Sequence, residues 1–226
     1  MPSALYVSNV FFGFPGPFLS KERVLFKSLP LHLILAGETR MKLGKTFYAA
    51  DRKAWHAWLS RNHAKAKEIW LVYYRKSSGK PRIPYNHAVE EALCFGWIDS
   101  TVKKVDDEKF AQRFTPRQPN SGLSQLNKER IRKLILDGRM TKVGLAAVSH
   151  AFKGDEEFVF PEEILKAIRK DKDAWKNFQK LPESYKRIRV AYIGSRMGRD
   201  DEAFERRLRH FIKMTAKGKQ FGFVRE

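Results

Sequence analysis

Residues 97–117 read WIDSTVKKVDDEKFAQRFTPR, and their alternation decides the fold of the first half of the chain. Two runs of alternating polarity flank the polar turn Asp106, Asp107, Glu108, which is the pattern of an antiparallel hairpin. With Val105 facing Lys109, the apolar groups Ile98 and Val102 share one face with Phe110, Phe114 and Pro116. The other parity scatters them, so burial selects this register. Trp97, Asp99, Thr101 and Lys103 are then expected on the second face with Ala111, Arg113, Thr115 and Arg117, and Asp99 opposite Thr115, diagonal to both arginines. One aromatic, one carboxylate, two hydroxyls and several cations on a strand pair suit recognition of an anionic or polar ligand. The same alternation also describes an ordinary solvated hairpin face carrying cross-strand ion pairs. Trp97 on such a face is either covered by another element or available for stacking.

Elements on either side follow from period and punctuation. Asp51 precedes Ala54, Trp55, Trp58 and Leu59, an i, i+3, i+4 apolar face with an acidic N-cap, so a helix begins there. Residues 69–74 are apolar, β-branched or aromatic and end at Ser77, Ser78, Gly79, which marks a buried strand. Pro81 and Pro84 lead into a helix over about residues 86–95, stopped by Gly96. Beyond the hairpin every segment has helical period: 126–135, a shorter one over 143–148, 162–169 after Pro161, 174–180, 182–197 and 201–216. The expected class is therefore α+β, a small antiparallel sheet with helices in the first half followed by an all-helical C-terminal half. The expected division is an extension without its own fold over residues 1–40, an α+β region over 41–122 and a helical region over 123–226.

The exit from the hairpin has a geometry of its own. Pro116 and Pro119 force the chain off the sheet as a stiff extended segment. Arg117 is expected to project beyond the sheet edge, close to the start of a helix capped by Ser124 with Asn127 in its first turn, a natural anion site. On that reading Arg117→Ala weakens anion binding and changes stability by under about 1 kcal/mol. If the substitution instead unfolds the protein, Arg117 is a structural partner, with Asp99 the expected counter-ion.

Composition bounds the function. A chain of 226 residues, 42% hydrophobic and 13% aromatic, holds enough apolar side chains for one domain or two small ones. The single cysteine, Cys94, excludes an intramolecular disulfide and fits a reducing cytoplasm. A formal charge of +20 attracts nucleic acid, anionic lipid or acidic ligands, and the excess is spread along the chain rather than gathered in a tail. The apolar run at residues 29–36, interrupted by Pro30 and His32, is too short to span a bilayer. No cation precedes Lys21, unlike a secretory signal, and Met41 is a plausible initiator.

No Gly-rich phosphate loop, HExxH, G-x-S-x-G or cysteine pair for zinc occurs, so no metal or cofactor is implied. His56 and His63 lack accompanying ligands at metal-binding spacing. Cys94 falls at the C-terminal end of an apolar helix, where the dipole opposes a thiolate, and reads as a small buried hydrophobe. Glu90 and Glu91 fall on different helical sides and make a poor acid and base pair.

Several longer motifs carry a family resemblance. EEALCFGWIDS at residues 90–100, FTPRQP at 114–119 and the segment 127–130 closely resemble the central signature of the YdeI/OmpD-associated family, also called bacteriocin-protection proteins. IWLVYYRKSSGKP at 69–81, GRMTKVGLA at 138–146 and Leu-Pro-x-Ser-Tyr-x-Arg at 181–187 extend the resemblance over about residues 47–219. Leu123 stands where the family commonly has a tryptophan, and Phe204 replaces the first arginine of its Arg-x-Arg-Arg cluster, leaving Arg206 and Arg207. The resemblance implies a cytoplasmic bacterial protein of envelope or bacteriocin stress, and no mechanism. The expected function is a non-catalytic binding or stress-tolerance protein. Two alternatives stand beside it: a nucleic-acid binder using cations such as Lys103, Arg113 and Arg117, and an enzyme or anion binder using the face of Trp97, Asp99 and Arg117.

Overall fold

A computed structural model describes residues 43–154 and 156–222. The extension expected over residues 1–40 lies outside them. The chain runs β1 (Thr46–Tyr48), α1 (Arg52–Asn62), β2 (Ile69–Tyr74), a short 3-10 turn (Lys76–Ser78), α2 (Tyr85–Cys94), β3 (Trp97–Lys104), β4 (Lys109–Pro116), α3 (Gln125–Leu136), α4 (Lys142–Val148), α5 (Glu162–Arg169), α6 (Lys172–Gln179), α7 (Glu183–Gly194) and α8 (Asp201–Ala216). The fold is α+β. Asp51 caps α1 as its side chain implies, Oδ1 accepting from Ala54 N at 2.8 Å. Gly96 ends α2 at φ 73°, and a Cβ there would lie 2.7 Å from that of Ala147.

The sheet order is β1-β2-β4-β3. Both hairpin strands and β2 are antiparallel, but β1 runs parallel to β2, so the sheet is mixed rather than antiparallel throughout. The reason is connectivity: α1 lies between β1 and β2 and supplies the crossover that a parallel pair needs.

The hairpin register agrees with expectation only at its distal end. Val102 pairs with Gln112, Lys103 with Ala111 and Lys104 with Phe110, and Val105 N donates to Lys109 O at 3.1 Å. A bulge between Asp99 and Val102 then shifts the pairing by one, so Asp99 faces Phe114 and Ile98 faces Thr115. Parity changes with it. Trp97 and Asp99 lie on the face of Phe114, Ile69 and Leu71, which α1 and α2 cover, while Lys103, Arg113 and Thr115 lie on the other.

Two apolar cores result. The first gathers Trp55 and Leu59 of α1, the inner face of the sheet, Val89 and Leu93 of α2, and Ile131, Leu134 and Val148 of α3 and α4. The second joins Ile164, Phe178, Tyr185, Ile193, Leu208 and Phe211 from α5 to α8.

Candidate functional site

The eight residues singled out from the sequence do not form one constellation. Trp97 is a core residue, 1% exposed, its Nε1 donating to His63 O at 3.2 Å and its ring edge-on to Trp58. It offers no stacking surface. Arg113 pairs with Glu68 at 2.5 Å, and the Lys103 ammonium lies 5.2 Å over the ring of Trp70, on the face away from Asp99. Thr115 shares that face. Ser124 caps α3 as expected, accepting from Asn127 N at 3.3 Å.

Arg117 does not project. Its N–H still donates to Gly96 O at 2.9 Å, which keeps the chain on the sheet edge, and the loop of Ser121 and Gly122 folds over the side chain. Arg117 is 9% exposed, and its guanidinium donates to Ser121 O, Ser121 Oγ and Gly122 O at 3.0–3.1 Å. Its partners are these loop oxygens and not Asp99. Burial with no carboxylate beside it lowers the guanidinium pKa.

What the bulge brings together is a polar cluster around Asp99, where the sheet meets the N-terminus of α2 and the first turns of α3. Asp99 Oδ2 accepts from Tyr85 Oη at 2.7 Å and from Gln112 Nε2 at 3.0 Å. Arg130 donates to Asn86 Oδ1 at 2.7 Å and to Asn127 Oδ1 at 3.0 Å, close enough for its charge to act on Asp99. Thus Asn127 enters the cluster through Arg130. Burial raises the Asp99 pKa above the ordinary carboxylate range, opposed by the Tyr85 hydrogen bond and Arg130. Burial and Asp99 raise the pKa of Tyr85, so its hydroxyl stays a proton donor. Two further hydroxyls, Tyr73 Oη and Ser100 Oγ, are buried without a hydrogen-bond partner among the described residues. Tyr73 projects from the same face and senses the charge of Asp99. Several hydroxyl, amide and guanidinium donors thus converge on one half-buried carboxylate.

Tyr73, Tyr85, Gln112 and Arg130 escaped the sequence reading. Gln112 was unrecognisable without the bulge, and Arg130 read as one more residue along a helix. Within the segment 127–130 the sequence marked Asn127 as a site residue but not Arg130.

A second polar cluster engages Glu90 and Glu91 together. Arg52 spans both, bonding Glu90 Oε2 at 2.5 Å and Glu91 Oε1 at 2.6 Å. His56 Nδ1 lies 2.8 Å from Glu91 Oε2, and Arg139 donates to Glu91 Oε1. Burial alone would raise the Glu91 pKa, but the bonds from Arg52 and His56 and the charge of Arg139 overcome it and lower the value. Both carboxylates are occupied in joining α1, α2 and the turn before α4. Cys94 is buried nearby, and loss of solvent pushes its thiol up to about 11.

Among the described residues, no group of three or more His, Cys, Asp or Glu side chains is placed to hold a metal ion, and no helix is long and apolar enough to cross a membrane.

The molecule is thus an α+β unit with a half-buried polar cluster, joined to a separate helical core. Residues 157–218, the helical core, match the family described as Bacteriocin-protection, YdeI or OmpD-Associated, and residues 47–147 match a domain of unknown function (DUF8412). The chain therefore carries a domain of the YdeI/OmpD-associated family. No curated protein and no solved structure matches it.

Proposed function

We propose that the protein is a non-catalytic binding protein of the cytoplasm that takes a small polar ligand at the Asp99 cluster and acts in tolerance of bacteriocin or envelope stress. The observation that carries the binding reading is the half-buried carboxylate of Asp99, with Tyr73 close enough to feel its charge and Ser100 next to it in the chain, two residues whose hydroxyls have no partner among the described residues. A buried donor left unpaired costs about 1–3 kcal/mol, which a ligand bearing acceptors recovers. The stress role rests on the family of residues 157–218.

The test is a thermal-shift screen of small polar and anionic metabolites against the native protein and Asp99→Asn. The reading expects a compound that raises the melting temperature of the native protein and fails to raise that of the variant. A panel that shifts neither protein, or shifts both equally, removes the Asp99 cluster as a binding site. In cells, deletion of the gene should raise sensitivity to bacteriocins, with native protein but not Asp99→Asn restoring tolerance. Unchanged sensitivity on deletion removes the stress reading.

A further inference from the structure

The arginines of this protein divide by what they touch. Arg52, Arg113, Arg132, Arg139, Arg169 and Arg187 each pair with a glutamate. At the α7–α8 turn the pattern reverses. Arg207 lies 3.8 Å over the ring of Tyr192 and Arg189 lies 5.2 Å from the same ring, and neither pairs with a carboxylate among the described residues. Arg207 Nη1 donates to Tyr192 O at 2.7 Å and to Ser195 Oγ at 3.3 Å, so the guanidinium is held in place by neutral oxygens.

Like charges crowd this spot. Loss of solvent lowers the pKa of Arg207, and Arg196 and Arg206 lower it further by repulsion, while Tyr192 and the capping residue Asp200 act against them. Arg189 likewise is depressed by burial and by Arg207, and its Nε is buried without a partner among the described residues. Folding here holds cations together against their mutual repulsion, with aromatic stacking in place of carboxylates. Tyr192 remains 47% exposed and Arg189, Arg196 and Arg207 are each partly exposed, so the cluster reaches the surface.

We infer that Arg189 and Arg207, gathered on Tyr192, together with Arg196 within reach of the Arg207 charge, form a sequence-independent contact for the phosphodiester backbone of a nucleic acid. Guanidiniums present forked donors to phosphate oxygens, and stacking on Tyr192 fixes the orientation of those forks before binding. A surface with several cations suits an extended polyanion better than a single small anion. A membrane fits less well, because Tyr192 is engaged by two guanidiniums and is not available to enter lipid. The chain's +20 supplies the long-range attraction. This site lies in the helical core and does not depend on the Asp99 reading.

Fluorescence anisotropy with a labelled random-sequence duplex, measured from low to moderate salt, tests it on the full chain. The native protein should bind with a steep salt dependence. Arg189→Gln/Arg196→Gln/Arg207→Gln should lower the slope of log affinity against log salt by about two to three, as expected for three lost phosphate contacts. Arg189 packs 4.0 Å over Phe221, so the pair Arg196→Gln/Arg207→Gln, which leaves it intact, is measured alongside and should lower the slope by about two. A charge-matched control, Lys166→Gln/Lys172→Gln/Lys176→Gln on the exposed sides of α5 and α6, should change it less. Equal losses in the control and the arginine variants overturn the inference, as does a folded arginine pair variant that binds like the native protein. Binding to anionic lipid vesicles but not to duplex, or displacement by inorganic phosphate at concentrations that match the duplex phosphates, also overturns it.

Discussion

Gly144 has no room for a side chain. A Cβ there would meet Cys94 O, lie 2.7 Å from Cys94 C and sit 2.9 Å from Leu93 O, all backbone atoms that cannot rotate away. The approach is productive because Thr141 Oγ1 accepts from Gly144 N at 3.1 Å and also donates to Cys94 O, so the start of α4 satisfies a carbonyl that the end of α2 would otherwise leave open. Gly144→Ala should cost about 3 kcal/mol, read from urea unfolding, and a loss under about 1 kcal/mol would mean that α4 slides at no penalty. Arg117 calls for a larger stability loss than its sequence context suggests. Its substitution by alanine strips three hydrogen bonds from the Ser121 and Gly122 loop and should cost about 2–3 kcal/mol. Arg117→Lys should recover only part of that, because one ammonium does not reproduce the planar fork. A cost under about 1 kcal/mol for Arg117→Ala would restore the exposed-cation reading.

Helix α2 is held in its C-terminal half by ion pairs of Glu90 and Glu91. Glu91 has a lowered folded pKa, so the unfolded chain takes up the proton first and the stabilisation it confers is complete only above the ordinary glutamate range. It is lost as pH falls through that range toward the depressed folded value. Glu91→Gln should therefore be about 2 kcal/mol less stable than the native protein at pH 7 and nearly equal to it at pH 3, measured by urea unfolding at both. A difference that persists unchanged at pH 3 would point to packing rather than charge. The elements themselves were legible where punctuation and period coincide: Asp51 before α1, Gly96 after α2, and α8 at residues 201–216. The three residues of β1 carry too little pattern to be read alone, since that strand exists through its pairing with β2. The bulge was illegible for a sharper reason. Ile98 and Val102 sit an even number of positions apart, which looks like one shared face, and no glycine or proline marks the extra residue between Asp99 and Val102 that turns them to opposite faces. The candidate site inherited that error, because the partners of Asp99 depend on it.

Between the two cores the decisive contact is Glu129 of α3. It is 9% exposed and accepts a bidentate pair from Arg187 of α7, at 2.7 and 2.8 Å, together with Arg132 at 2.7 Å and Gln125 at 2.6 Å. Helix α3 contributes Ile131 and Leu134 to the first core, and α7 contributes Tyr185, Val190 and Ile193 to the second, so this carboxylate links them directly. Lys128 and Glu156 add an exposed pair at 2.5 Å, worth little by itself. Removing the charge at Glu129 leaves three donors competing for a neutral amide in a desolvated position, a loss of about 3 kcal/mol if the pair behaves as buried ones do. Because that energy couples the cores rather than building either one, Glu129→Gln should act on cooperativity. Calorimetry should resolve one unfolding transition in the native protein into two in the variant, with limited proteolysis rising between Ser149 and Phe160 while α2 and α8 stay protected. A variant that still unfolds in a single transition at the native temperature would mean that apolar contacts between α3 and α7 couple the cores without the clasp. Two transitions would place the sheet with its Asp99 cluster and the helical core with its Tyr192 arginines on separately stable units, so that a ligand of either could be bound without unfolding the other.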